Sequence, residues 1–132
     1  MFSIFSSKKP IILAIDDQAS VRRLIKMTLE KVDCELHFAE NGHEGLKLAK
    51  KKKPDLILLD EMMPDIDGLE VCKTLKAEDK FSKTKIIFLS AKDEESDKEL
   101  AFKAGAVDFL RKPFSPTYLK NTVESYLNED IE

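Results

Sequence analysis

Five side chains in this sequence could do chemistry together if the fold gathered them: Asp16, Asp17, Asp60, Ser90 and Lys112. Three carboxylates in one place repel one another and call for a cation. A hard divalent ion such as Mg²⁺ takes one or two carboxylates together with waters and phosphate oxygens, and Mn²⁺ can substitute for it. With that charge balanced, a carboxylate can attack phosphorus as a nucleophile. Phosphoryl transfer then asks mainly for positioning and neutralisation. A hydroxyl and an ammonium, from Ser90 and Lys112, suit the remaining phosphoryl oxygens. Taken singly, each residue has a plainer use. An acidic pair such as Asp16-Asp17 caps a helix, Ser90 is a turn hydroxyl, and Lys112 is a solvated loop lysine. Asp60 differs, because it directly ends the apolar run Leu56-Ile57-Leu58-Leu59.

The elements around these residues explain why they should meet. Short apolar runs at residues 11–15, 36–39, 56–59, 86–89 and 107–110 predict five strands, the second interrupted by His37. Near-continuous apolar runs of this length belong to a parallel sheet covered on both faces. Between them lie helical patterns. Val21, Leu24, Ile25, Thr28, Leu29 and Val32 share one helical face, as do Leu69, Cys72 and Leu75, and Leu119, Val123, Tyr126 and Leu127. Asn41-Gly42 and Ser115-Pro116 read as helix starts. A further helix is expected after the acidic stretch Asp93, Glu94, Glu95, Asp97, and Lys50 to Lys53 suit the solvated end of another. The predicted order is a strand and a helix repeated five times, an α/β fold with right-handed crossovers. Ligands of such sheets bind beyond the carboxyl ends of the strands. Asp16-Asp17 follow the first strand, Asp60 the third, Ser90 the fourth, and Lys112 comes two residues after the fifth.

Composition narrows the alternatives. The chain has 132 residues, with 22 Lys plus Arg against 25 Asp plus Glu, a net charge of −3. That length suits one domain, expected over residues 10–128, with a short tail at 1–9 and an acidic tail at 129–132. Mild acidity argues against direct nucleic-acid binding, which needs a basic face. The longest apolar run, residues 11–15, is far too short to insert in a membrane. No secretory signal pattern opens the chain, and Cys34 and Cys72 have no metal or redox spacing, so buried free thiols in the cytoplasm are expected. His37 and His43 have no ligand spacing, and solvent-facing or locally bonded roles are expected. Glycine-rich nucleotide cradles are absent.

The motifs together resemble the receiver domain of bacterial response regulators. The resemblance runs from Pro10 to Leu127. It is carried by Ile15-Asp16-Asp17, by the stretch from Pro54 through Asp60 with Met62-Met63-Pro64-Asp65-Ile66-Asp67-Gly68, by Leu89-Ser90-Ala91, Gly105-Ala106 and Lys112-Pro113-Phe114. It implies a flavodoxin-like five-stranded parallel sheet of order 2-1-3-4-5, an order for which a receiver domain is a worked example. It implies that Asp60 accepts a phosphoryl group from a histidine kinase or a histidine phosphotransfer protein. Asp17 and Asp60 would bind Mg²⁺ directly, Asp16 through water, and Met62 through its backbone carbonyl. Ser90 and Lys112 would hold phosphoryl oxygens, and Phe109 would be the aromatic switch partner of Ser90. The Lys112-Pro113 bond would be cis, and Gly68 would relieve crowding where the loop meets its helix. Met62 and Lys92 occupy the two positions that tune dephosphorylation in the family.

Some positions depart from the usual pattern. Ser90 stands for threonine, and Phe109 for tyrosine, without its phenol. Glu61 adds an acid beside Asp60; neighbours on an extended segment point oppositely, so a solvent-facing side chain is expected. Met62 cannot orient water by hydrogen bonding, so a long-lived aspartyl phosphate is expected. With no output domain in the sequence, the output is expected to be a changed surface of the fourth helix, fifth strand and fifth helix that meets a downstream protein or relays the phosphoryl group. Thr122 and Val107 stand where an acid–arginine dimer network would need charges, so a monomer or weak dimer is expected. An alternative on a similar sheet is a metal-dependent phosphohydrolase with an Asp nucleophile, but its general-acid position is Met62. A flavin carrier would need a Ser/Thr/Gly phosphate loop in place of Asp16-Asp17. Phe2, Ile4 and Phe5 could dock a partner or membrane surface, but a frayed tail is expected.

Overall fold

A computed structural model describes residues 8–92 and 94–129. The expectations for residues 1–7 and 130–132, and for Asp93 as part of the acidic helix start, lie outside the described residues. The elements are β1 (Ile11–Ile15), α1 (Ala19–Leu29), β2 (Glu35–Ala39), α2 (Gly42–Lys52), β3 (Leu56–Asp60), α3 (Gly68–Lys76), a 3₁₀ turn (Asp79–Phe81), β4 (Lys85–Ser90), α4 (Glu95–Lys103), β5 (Asp108–Arg111) and α5 (Pro116–Asn128). All pairings are parallel, in the order β2-β1-β3-β4-β5. This is the predicted fold.

Alternation along each strand builds two apolar layers. Leu13, Ile15, Ile57, Leu59, Ile86, Phe88 and Phe109 face a layer with Ala49, Val71, Cys72, Leu75 and Ala101 from α2, α3 and α4. Ile12, Ala14, Leu56, Leu58, Ile87, Leu89 and Leu110 face Ile25, Leu29, Leu119 and Val123 from α1 and α5. Burial on both faces is why β1, β3 and β4 read as unbroken apolar runs.

Strand bounds shift where pairing rather than apolarity sets them. β2 begins at Glu35, paired with Ile11, because its N–H donates to Pro10 O at 2.8 Å. β2 is an edge strand and only Ala39 is buried, which leaves His37 room to pair with Glu35 at 2.6 Å. β4 gains Lys85 and Ser90 through its pairing with β3 and β5. β5 runs to Arg111 and not from Val107, since its ladder with β4 starts at Ile87↔Asp108.

Caps set the helix starts. Asn41 Oδ1 accepts from Glu44 N at 2.9 Å, and Ser115 Oγ from Tyr118 N at 3.0 Å with Pro116 at the first turn. Asp67 Oδ1 accepts from Glu70 N at 2.9 Å to start α3, a cap the apolar pattern alone does not show. Lys50, Lys51 and Lys52 form the last turn of α2, as expected. Cys72 is fully buried and its thiol donates to Ala104 O at 3.3 Å, but Cys34 is only half-buried beside the edge strand. Among the described residues, no helix is long and apolar enough to cross a membrane.

Candidate functional site

The carboxyl ends of β1, β3, β4 and β5 deliver the expected residues to one pocket. It has a volume of about 210 Å³ and is lined by Asp17, Gln18, Asp60, Met62, Ser90, Ala91 and Lys112. One carboxylate oxygen each from Asp16, Asp17 and Asp60 lies within 4.8 Å of the others. Asp16 is fully buried, Asp60 nearly so, and Asp17 exposed at the mouth.

Lys112 is the counter-charge. Its Nζ lies 2.9 Å from Asp16 Oδ2 and donates to Asp60 Oδ1 at 3.2 Å and Gln18 Oε1 at 3.1 Å. The approach to Asp16 is an ion pair rather than a directed hydrogen bond, so that buried oxygen accepts none. Lys112 is aimed inward from a cis Lys112-Pro113 peptide just after β5. Asp16 Oδ1 accepts from Gln18 N at 2.9 Å, and Arg22 donates to Asp16 O at 2.7 Å, so α1 pins the acidic turn from both sides.

Burial pushes the Asp60 carboxyl up to about 7, the Asp16 charge and the hydrogen bond with Asp17 push the same way, and Lys112 opposes them. One ammonium thus leaves negative charge uncompensated. Three converging hard oxygens with a single ammonium against them fit a divalent ion such as Mg²⁺.

Ser90 ends β4 with its side chain almost fully buried, and Oγ accepts from Lys92 N at 3.0 Å. Accepting there leaves the hydroxyl its own proton as a donor. Met62 N approaches Asp60 Oδ1 at 3.4 Å, while its side chain is exposed. Phe109 is buried in the α2–α4 layer opposite Phe88. Gly68 is required by the close approach of its helix to β3: a Cβ there would sit 2.4 Å from Asp60 O and 3.0 Å from Glu61 Cα.

The expectation for Glu61 is corrected. Its side chain is only 6% exposed, Oε1 accepts no hydrogen bond, and Oε2 lies 4.0 Å from Lys92 Nζ. Pointing away from Asp60 does not mean pointing at water. Glu61 has the parity of Ile57 and Leu59, whose face is covered by α2, α3 and α4.

Three contributors were not legible as site residues. Gln18 and Arg22 support the acidic turn, and their places directly after Asp17 and one helical turn on were the available signal. Asp65, in the loop after β3, accepts from Gly42 N at 3.0 Å and His43 N at 2.8 Å at the start of α2, and meets His43 Nδ1 at 2.7 Å. Burial alone would raise its pKa, but these donors hold its carboxyl well below the usual range. The His43 side chain is 70% exposed, solvent-facing as expected, and its bond to Asp65 is a long-range one.

Comparison with known proteins agrees with this geometry. The family model described as response regulator receiver domain matches residues 12–124. Alkaline phosphatase synthesis transcriptional regulatory protein PhoP of Bacillus subtilis is 43% identical over 116 residues, covering 88% of this chain and 48% of the relative. Transcriptional regulatory protein ResD of the same organism is 42% identical, with 88% and 47% covered. The chain therefore spans about half the length of these curated relatives. The solved structure of chemotaxis response regulator CheY4 of Vibrio cholerae superposes with a TM-score of 0.85 at 30% identity, covering 90% of this chain and 99% of that one. By sequence, fold and pocket alike, this chain belongs to the response-regulator receiver domain family of two-component signalling.

Proposed function

We propose that Asp60 is the phosphoacceptor of a phosphorylation-dependent switch, charged by a histidine kinase or a histidine phosphotransfer protein. The observation that supports it most is one pocket in which three carboxylate oxygens converge within 4.8 Å and Lys112 reaches Asp60 at 3.2 Å. In the transfer, an Asp60 oxygen bonds to phosphorus as the bond from phosphorus to the donor imidazole nitrogen breaks. The imidazole keeps that electron pair and takes up a proton. Asp17, Asp60 and the Met62 carbonyl would hold Mg²⁺, or Mn²⁺ in its place, with Asp16 acting through water. The ion supplies charge neutralisation to the phosphoryl oxygens. Ser90 donates its hydroxyl hydrogen bond and Lys112 its ammonium to the other oxygens.

The readout follows from the same residues. Ser90 and Phe109 sit on neighbouring strands β4 and β5, so drawing Ser90 toward a phosphoryl group would repack Phe109 and alter the α4–β5–α5 surface. That surface would meet a downstream protein target or pass the phosphoryl group on, in the cytoplasm, from a monomer or weak dimer. Phosphoryl transfer here is self-catalysed, and the chain acts as a signalling domain rather than an enzyme on other substrates. A phosphohydrolase would need a proton donor two residues after its nucleophile, and Met62 carries none. The test is incubation with Mg²⁺ and acetyl phosphate followed by intact mass. A single phosphoryl adduct that disappears in Asp60→Asn is expected. No adduct, or one that survives Asp60→Asn, overturns the reading.

A further inference from the structure

Glu61 directly follows Asp60, Lys92 lies two residues after Ser90, and their side chains form an unequal pair. The Glu61 carboxylate is buried, its side chain only 6% exposed, and one of its oxygens accepts no hydrogen bond. Its backbone is also tied on both sides, Glu61 N donating to Leu89 O at 3.0 Å and Glu61 O accepting from Gly68 N at 2.8 Å. The Lys92 side chain is 48% exposed and ends 4.0 Å from Glu61 Oε2. Meanwhile the Lys92 backbone N–H holds Ser90 Oγ at 3.0 Å, and Ser90 lines the same pocket as Asp60. The Lys92 backbone is thus anchored beside the pocket, and its flexible four-carbon stem carries an exposed ammonium toward a buried acid.

We propose that Glu61 is a brake on phosphorylation that works by holding the Lys92 ammonium away from Asp60. The proposal rests on Asp60 being the phosphoacceptor. Phosphorylation adds negative charge at Asp60, and Lys112 is already shared among Asp16, Asp60 and Gln18. A second ammonium would stabilise the incoming phosphoryl oxygens. Lys92, whose backbone N–H is bonded to Ser90 of that pocket, would supply it, and the buried carboxylate of Glu61 competes for it. Glu61 touches no reacting atom and acts as a positioning residue through Lys92.

The test is the initial rate of acetyl-phosphate phosphorylation with Mg²⁺, by intact mass, for native protein, Glu61→Gln, Lys92→Gln and the double variant, with thermal melts of each. Glu61→Gln is expected to speed phosphorylation roughly threefold or more. The gain is expected to disappear in the Lys92→Gln background and to shrink at high salt. A structural effect of Glu61 would persist without Lys92. Glu61→Asp, which keeps the charge but withdraws it from Lys92, is the second variant should Glu61→Gln not fold, and it too is expected to be faster. Equal rates for native and Glu61 variants, or a gain that survives Lys92→Gln, overturn the brake. Absence of phosphorylation in the native protein itself would instead overturn the phosphoacceptor reading.

Discussion

Lys112 Nζ stands 3.2 Å from Asp60 Oδ1 across 52 residues of sequence. That hydrogen bond joins β3 to the end of β5 through the pocket, and it both steadies the Asp60 carboxylate and aims an ammonium at the atoms it would react with. Lys112→Ala should therefore slow acetyl-phosphate phosphorylation by about 10²-fold, the usual cost of losing one preorganised donor. Lys112→Arg should recover only part of the rate, because a planar guanidinium does not reproduce a point charge. Single-turnover rates by intact mass check both.

Asp60 also carries a pH signature. Its carboxyl sits at about 7 in the fold against 3.8 for the ordinary group. The folded state therefore binds a proton that the unfolded state has released, and without metal stability falls as pH rises from about 4 to 7. In EDTA, Asp60→Asn should remove that slope and gain about 1 kcal/mol near pH 7.5, roughly 3–5 °C in Tm. Adding Mg²⁺ should raise the Tm of the native protein and leave Asp60→Asn little changed. Melts across pH, with and without Mg²⁺, check the sign.

Asp65 predicts a structural cost at a distance from the reacting atoms. Asp65→Ala orphans the N–H groups of Gly42 and His43 at the start of α2. The expected loss is about 1 kcal/mol of stability by denaturant titration, typical of a lost cap. Its carboxyl is held below the usual range, so the stabilisation is present above the unfolded pKa and is lost as pH falls through the folded one. The native and Asp65→Ala proteins should converge in stability in strong acid.

Gly68 predicts the reverse coupling, from packing to the pocket. Gly68→Ala would drive a methyl group into the backbone of Asp60 and Glu61, which cannot move as a side-chain tip can. A loss of about 1–3 kcal/mol is expected, with slower phosphorylation because Asp60 itself must shift. Denaturant melts and the acetyl-phosphate rate check the two halves together.

The fold was legible because β1, β3 and β4 are buried on both faces and leave apolar runs that no other element needs. The acidic pocket was legible for a related reason: a carboxylate ending a run such as Leu56 to Leu59 has no packing role. Glu61 was not legible, since the sequence shows that it points away from Asp60 but not what waits on that side. In an edge strand it would have met water; on this covered face its side chain is only 6% exposed. Asp65 and Gln18 stayed hidden because their partners, His43 and Lys112, are 22 and 94 residues away. Local pattern carries no record of such pairings.

The central claim is that the phosphoryl group goes to Asp60, and its most direct test is to find where the group sits. Borohydride reduction of acetyl-phosphate-treated protein converts an aspartyl phosphate to homoserine, which peptide mass mapping locates. Homoserine at position 60, and none at positions 16, 17 or 61, is the predicted result. Homoserine at one of those other acids, or at none, would contradict the account.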